Sequence, residues 1–503
     1  MSGFTKPIEQ NKSGLWLGLF GLWVGSLCLR FWGLGRFNAL VFDEVYYVKF
    51  AHNYLTHTPF FDGHPPLSKY LIAIGIWIGN QLPVGKDTVN SLAGSPLSTW
   101  SYRWLNALTG SFIPLVVAAI AYQLSHRRSY ALIAGLFAAA DGLFLVESRY
   151  ALNNVYLVIF GLLGQWFFLK ALDAPGRKWL LWMALAGLFF GASASIKWNG
   201  LWFLLGAYLL WGIALAIRLV RQMRRSATPL PDPFANTPLY RLARLNSFYL
   251  LLSLGAVPAI FYRLIWIPHL NLSRDFGFWE VQNQILSYHE RVGSGANIHP
   301  YCSTWVSWIW MQRPVAYFYQ VTSSLTAPIP TRGTASAITS GSVIYDVHAM
   351  GNPVLWWFST GAIALLIWIL LENLNALLSP IETLTPRQQI GLLPIQEVWI
   401  VLFLVVNYAA NLLPWVRVTR CVFLYHYMGS AVFASLALAW LVDRWFRSNT
   451  PRLRRLANWT IVLVLVGFVF WMPVYLGLPL MGWQYNLRMW QIAIGNFWLL
   501  RWI

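Results

Sequence analysis

The feature that most constrains this chain is a succession of long apolar runs, such as Leu15–Phe31, Tyr102–Leu124 and Ala151–Leu172, separated by short polar stretches. Only 11% of the residues are charged, well below the roughly one quarter usual in soluble domains. In lipid every backbone polar group must find its partner inside the protein, and a helix does so within one segment. The pattern therefore predicts an all-α polytopic membrane protein. It argues against the about three soluble domains that such a length would otherwise suggest. The 30 Trp fit the same reading, because Trp and Tyr collect at membrane–water interfaces.

Topology follows from the basic residues. The net charge of +19 sits largely in short Lys/Arg clusters between apolar runs, which is how cytoplasmic loops are marked. We read it as a topology signal and not as a nucleic-acid footprint. Lys6 and Lys12 place the N-terminus in the cytoplasm. The run that follows lacks a small-residue cleavage site and reads as a retained span. Residues Arg36 through Pro66 are then external. Leu67–Leu82 is apolar but shorter than the about 20 residues a span needs, and it carries Lys69. If it crossed, His126-Arg127-Arg128, Gly176-Arg177-Lys178 and Arg218–Arg244 would all lie outside. An amphipathic helix on the outer surface keeps all three inside.

The remaining runs give about eleven spans. We divide the chain into an N-terminal transmembrane module (1–266) with its first external loop (33–101), a large external loop (267–352), and a C-terminal transmembrane module (353–503). The large loop shows helical patterns at Phe276–Arg291 and Thr304–Tyr319. Its Gly/Ser/Thr/Ala-rich middle, Thr331–Ser342, reads as a mobile segment. Cys28, Cys302 and Cys421 are far apart, odd in number and without metal-ligand spacing. They read as packing residues and not as a disulfide framework.

The chemistry-bearing residues collect at the external ends of the spans. Acids (Asp43, Glu44, Asp62) lie with cations (Lys69, Arg103, Arg149, Lys197, Arg313, Arg417, Arg420) and histidines (His64, His289, His299). Cations bind phosphate and an acid handles a proton, so this inventory suits a substrate with a lipid tail and a phosphate head. Asp43-Glu44 reads equally as a helix N-cap followed by a first-turn acid. Asp62-Gly63-His64-Pro65-Pro66 is a turn before a helix start, compatible with substrate positioning by His64. Arg149 and Lys197 could simply anchor span ends at the interface. Asp141 is a carboxyl inside a span and needs a partner or a cavity. His299, Tyr301, Trp305 and Arg313 interleave rings with polar groups, as sugar-binding surfaces do.

Six stretches together resemble the protein O-mannosyltransferases: FDEVYYVKFAHNYL (42–55), FFDGHPPLSKYL (60–71), AADGLFLVESRYAL (139–152), SIKWNGLW (195–202), HPYCSTWVSWIWMQRPVAYFYQ (299–320) and LPWVRVTRCVFLYHYM (413–428). They occur in the family's order across nearly the whole chain. The resemblance implies a GT-C glycosyltransferase fold, a polyprenyl-phosphate-mannose donor, Asp43 as catalytic base with Glu44 beside it, and Arg149 on the donor phosphate. The family has an acidic residue where this chain has Asn154, so no acidic role is assigned there. The loop 267–352 is too short for the soluble domain that eukaryotic members carry, which points to a bacterial-type member in the plasma membrane.

The reaction expected is an inverting transfer of mannose to Ser/Thr hydroxyls of translocated, secreted or membrane proteins. Asp43 removes the proton, and Arg149, Lys69, Arg103 and Lys197 stabilise the departing phosphate. His64, Asp141, His299, Tyr301, Trp305 and Arg313 are the expected substrate contacts. No cofactor is required; a divalent cation is compatible with the chemistry but nothing in the sequence indicates one. The alternative is a GT-C transferase acting on a glycolipid or a cell-wall glycan. A transporter would place charge along a midplane pathway instead.

Overall fold

A computed structural model describes residues 13–223, 237–295, 297–329, 342–378, 393–494 and 497–503. The expectation for Thr331–Ser342 lies, except for Ser342, outside the described residues. The first half runs in order through α1 (Ser13–Phe31), α2 (Glu44–Leu55), α3 (Leu67–Gly79), α4 (Thr99–Ser111), α5 (Ile113–Ser125), α6 (Arg128–Ala139), α7 (Gly142–Arg149), α8 (Asn154–Asp173), α9 (Lys178–Ala194) and α10 (Leu201–Met223). After α11 (Pro238–Arg244) come α12 (Ser247–Leu251) and α13 (Val257–Leu272), then α14 (Phe278–Arg291) and α15 (Trp305–Ile309). Helices at Pro353–Leu378, Ile395–Leu412, Met428–Phe446 and Pro451–Leu476 complete the bundle.

Among the described residues nine helices are long and apolar enough to cross a bilayer, and the bent pair α6–α7 makes ten. With 17 residues, α9 is about the shortest helix that spans, and counting it gives eleven. It packs along α8. On its other side Gly187 and Gly191 let the backbone at Ser253 and Pro258 come so close that a Cβ would collide. Asp141 stands at the bend between α6 and α7, which meet at 58°. It caps α7, accepting from the Phe144 amide at 3.0 Å, and that cap is its buried partner.

With 13 residues, α3 is about 20 Å long, too short to cross. Its Leu67 amide donates to Ser195 O at 3.1 Å, and the Trp104 indole donates to Gly75 O at 2.8 Å. Gly79 lies against Ser101. Both ends of α3 thus adjoin the α9 end and the α4 start, and it lies along one face of the bundle.

The large loop departs from the expected helical pattern at Thr304–Tyr319. Helix α15 stops at Ile309, and after Arg313-Pro314 the chain turns into strand. The run Val-Ala-Tyr-Phe-Tyr-Gln-Val-Thr is aromatic and β-branched, and Pro314 cannot continue a helix. A short β1 (Val89–Asn90) and β2 (Leu97–Ser98) precede it in the first loop. The loop strand β3 (Val315–Thr322) pairs antiparallel with β4 (Val343–Ala349), which pairs with β5 (Leu480–Met481). A hairpin of β6 (Gln491–Ile494) and β7 (Phe497–Arg501) forms the C-terminal tail.

The cysteine expectation is corrected here. Cys302 and Cys421, 119 residues apart, form a disulfide with a Cα–Cα distance of 5.1 Å; Cys28 is free. The bond joins the large loop to the segment before Met428–Phe446, and Ser303 bridges Val422 beside it. Spacing along the chain could not reveal a pair that only tertiary structure brings together.

Candidate active site

The adjacent acids Asp43 and Glu44 divide into two roles. Glu44 is fully buried. Its Oε1 accepts from Arg103 Nε and the Ala151 amide, both at 2.9 Å. Its Oε2 accepts from Arg103 Nη2 at 2.7 Å and the Val41 amide at 2.8 Å. Arg103 completes the clamp by donating to Leu34 O, Phe37 O and Ala39 O. All five guanidinium N–H groups are used, and none remains for a ligand.

Asp43 is the N-cap residue of α2, but its carboxylate makes no capping bond. The residue is half-buried, and its side chain has no hydrogen bond among the described residues. It follows Phe42, which holds a left-handed backbone at φ 50°, a strained conformation for a large side chain. The Phe42 ring is locked by stacking on Tyr317 at 4.2 Å between centroids. Burial pushes the Asp43 carboxyl up to about 6, against the pull of Lys197 and with help from Asp62.

Lys197, in the turn between α9 and α10, is the cation beside Asp43. Burial pushes its ammonium down to about 8, while Asp43 and Glu147 hold it up. It donates to Asn154 Oδ1 at 3.0 Å and lies over the Tyr425 ring at 5.3 Å. Arg420, next to the disulfide, is half-buried and acts on Lys197, His64 and His289. The His64 and His289 rings are 5.3 Å apart, and burial pushes both histidines below their ordinary range. Helix α14 brings His289 and lays Tyr288 against Gly63, closing over the Asp62–His64 turn.

The other expected phosphate ligands are occupied. Lys69 is buried and uses its three donors on Asp62 Oδ2 at 2.5 Å, His64 O at 2.9 Å and Pro65 O at 2.6 Å, stitching the turn together. Arg149 is buried and donates to Leu29 O, Arg30 O, Trp32 O and Gly33 O, at and just beyond the end of α1. In this geometry Lys69 and Arg103 give all their donors to the fold, and Arg149 gives its two Nη groups to backbone carbonyls while its Nε has no hydrogen-bond partner among the described residues. Asp141 caps α7, at the bend between α6 and α7.

The HPY segment lies at the margin. The His299 ring meets Phe423 edge-on at 5.0 Å, and Tyr301 carries the Arg313 guanidinium over its face at 4.6 Å. Arg313 donates to Pro300 O, Arg501 O and Ile503 O, fastening the tail hairpin. Trp305 is half-buried against the core. Sequence reasoning gave no role to Glu147, Tyr317 or Tyr425, and placed Arg420 and His289 only in the external inventory of cations and histidines. Buried Tyr side chains in so aromatic a chain give no signal of their own. Among the described residues no three His, Cys, Asp or Glu side chains gather as a metal-binding set.

Comparison with known proteins fits this arrangement. The family model of dolichyl-phosphate-mannose-protein mannosyltransferases matches residues 22–272, and that of the C-terminal four-transmembrane region of protein O-mannosyltransferases matches 276–493. The chain is 23% identical over 509 residues to a polyprenol-phosphate-mannose–protein mannosyltransferase of Mycolicibacterium smegmatis, covering 90% of this chain and 86% of that one. To the Corynebacterium glutamicum enzyme of the same description it is 23% identical, covering 93% and 91%. The S. cerevisiae protein O-mannosyltransferase Pmt1-Pmt2 complex bound to the sugar donor shares the fold, with a TM-score of 0.73 at 15% identity over 96% of this chain and 93% of that one. The Archaeoglobus fulgidus oligosaccharyltransferase gives 0.50 at 15% identity, covering 93% of this chain and 56% of that one.

Proposed function

The chain belongs to the protein O-mannosyltransferase family, with the GT-C fold, and on that premise we propose that Asp43 is the general base of its transfer reaction. The donor is polyprenyl-phosphate-mannose and the acceptor a Ser or Thr hydroxyl of a polypeptide. The acceptor oxygen attacks the anomeric carbon on the face opposite the phosphate, with inversion, as its proton passes to Asp43. The C–O bond to the phosphate breaks, and the lipid phosphate leaves as an anion.

One observation carries this reading. Of two adjacent carboxylates, Glu44 is saturated by hydrogen bonds, whereas Asp43 is held by the backbone alone, beside the ammonium of Lys197. Its raised carboxyl suits a base working near neutral pH. Among the described residues Lys197 gives only one of its three donors to a protein acceptor, which suits a phosphate ligand, and we assign that role to Lys197 together with Arg420. Tyr425, Phe423 and His64 supply faces for the sugar. A monophosphate leaving group can be neutralised by these cations, so we propose that no metal takes part.

We place the site on the external face of a bacterial plasma membrane, with the N-terminus cytoplasmic. The basic clusters at the opposite span ends support this orientation. So does the Cys302–Cys421 disulfide, which belongs in an oxidising compartment. The Mycolicibacterium and Corynebacterium relatives, matched by sequence along most of their length, are bacterial.

The test uses the purified protein with radiolabelled polyprenyl-phosphate-mannose and, in parallel arms, a Ser/Thr-rich peptide and a glycolipid acceptor. Label on the peptide hydroxyls is the expected result. Label on the glycolipid alone would overturn the acceptor assignment.

A further inference from the structure

Glu147 and Tyr317 have no part in the reaction as described, yet both are buried beside it. The Tyr317 hydroxyl donates to Glu147 Oε1. Asn154 Nδ2 donates to Glu147 Oε2 at 3.1 Å, and Asn154 Oδ1 accepts from Lys197 Nζ at 3.0 Å. The polarity of the Asn154 amide is therefore set from both sides, since a flip would turn its NH2 towards the ammonium. At the other end the Tyr317 ring stacks on Phe42, the residue before Asp43.

We propose that Glu147 is a positioning residue: through Asn154 it aims Lys197 at the donor phosphate, and through Tyr317 and Phe42 it braces the turn that presents Asp43. One carboxylate thus sets the spacing between the base and the cation. This rests on the assignment of Lys197 to the phosphate.

Three elements converge on the relay. Glu147 comes from α7, Asn154 begins α8, and Tyr317 comes from β3. An isolated structural carboxylate would need only donors. This one ends a chain of hydrogen bonds that leads to a cation with two donors still available among the described residues. The charged groups acting on Lys197 are Asp43, Glu147 and Asp62, which favour its protonation, and Arg420, which opposes it. His64 and His289, pushed below their ordinary range by burial, also face this cluster, as does the His426 ring. Removing the Glu147 charge must therefore make Lys197 lose its proton at lower pH.

The experiment measures donor KM, kcat and the pH profile of transfer for Glu147→Gln, Asn154→Asp, the double variant and Lys197→Gln. Glu147→Gln is expected to raise donor KM about tenfold. It should also move the alkaline limb of activity down by about half to one pH unit. Asn154→Asp brings a carboxylate one step nearer and should move that limb up. The double variant, which shifts the charge from 147 to 154, should recover donor KM. An unchanged limb and KM in Glu147→Gln, or a double variant no better than it, overturns the relay. Should Glu147→Gln fail to fold, a double variant whose donor KM is raised as far as that of Lys197→Gln overturns it instead. Lys197→Gln separates the two claims. An unchanged donor KM there sinks the phosphate assignment itself, whereas a raised KM beside a silent Glu147→Gln sinks only the relay.

Discussion

The division of labour between Asp43 and Glu44 makes opposite predictions for two isosteric changes. In Asp43→Asn no hydrogen bond is lost, because the carboxylate has none among the described residues. Its ordinary value of 3.8 is pushed up to about 6, so the folded state binds a proton more tightly than the unfolded chain. Stability contributed this way is present at low pH and is lost as pH rises to about 6. At pH 7 the buried charge costs the fold at most about 3 kcal/mol, and roughly 1 to 2 once its partial exposure is allowed for. The neutral amide removes that cost, so the variant should melt at or above the wild-type temperature. Its kcat should fall about 10²- to 10⁴-fold. Glu44→Gln does the reverse. It leaves Arg103 buried against a neutral amide and sets an NH2 against the donors that the carboxylate accepted from, at a cost of about 3 to 5 kcal/mol. It should melt markedly lower, with a smaller loss of transfer per folded molecule than in Asp43→Asn. The assay is a thermal melt in detergent beside mannosyl transfer to a Ser/Thr peptide. Full activity in Asp43→Asn, or a larger loss of stability there than in Glu44→Gln, would refute the reasoning.

Three further outcomes follow from the same geometry. Transfer should rise with pH through about 6, as Asp43 ionises, and fall through about 8, as Lys197 loses its proton; a profile flat across both transitions contradicts both assignments. Cys302 and Cys421 should resist thiol alkylation until a reductant is added, and Cys302→Ser should lower activity by loosening Arg420; free thiols in the unreduced protein would remove that constraint. Chelation by EDTA should leave transfer unchanged, and loss restored by added Mg²⁺ or Mn²⁺ would bring a metal into the mechanism.

The legible parts were those written in local pattern. Apolar runs reported the spans, and charge bias kept Leu67–Leu82 on the surface, because both effects act over one segment at a time. Asp43 drew attention because two acids beside a membrane span need a reason. The roles of the cations were not legible. Arg103, Arg149, Lys69 and Lys197 all sit near span ends, and only the fold decides whether their donors meet carbonyls or remain available. Three of the four meet protein acceptors with all or most of their donors. The disulfide and the β3–β4 ladder were hidden for a related reason, since each joins segments with long stretches of chain between them.

That three of the four cations serve the fold bears on how such a site works. A carboxylate kept free to take a proton cannot hold its own turn in place, so other groups must. Glu44 and Arg103 anchor the residues on both sides of Asp43 to the start of α4 and to Ala151, and Arg149 ties the end of α1 to the same region. Phe42 accepts a strained backbone and is held there by Tyr317. The proposed base is thus fixed by neighbours on either side, while its own oxygens make no hydrogen bond among the described residues. Electrostatic preorganisation asks for this arrangement, because a group already in position spends no energy reorganising when charge develops. On the proposed assignment, the buried cations around Asp43 hold one free carboxylate in place, and Lys197, with donors to spare among the described residues, is left for the substrate.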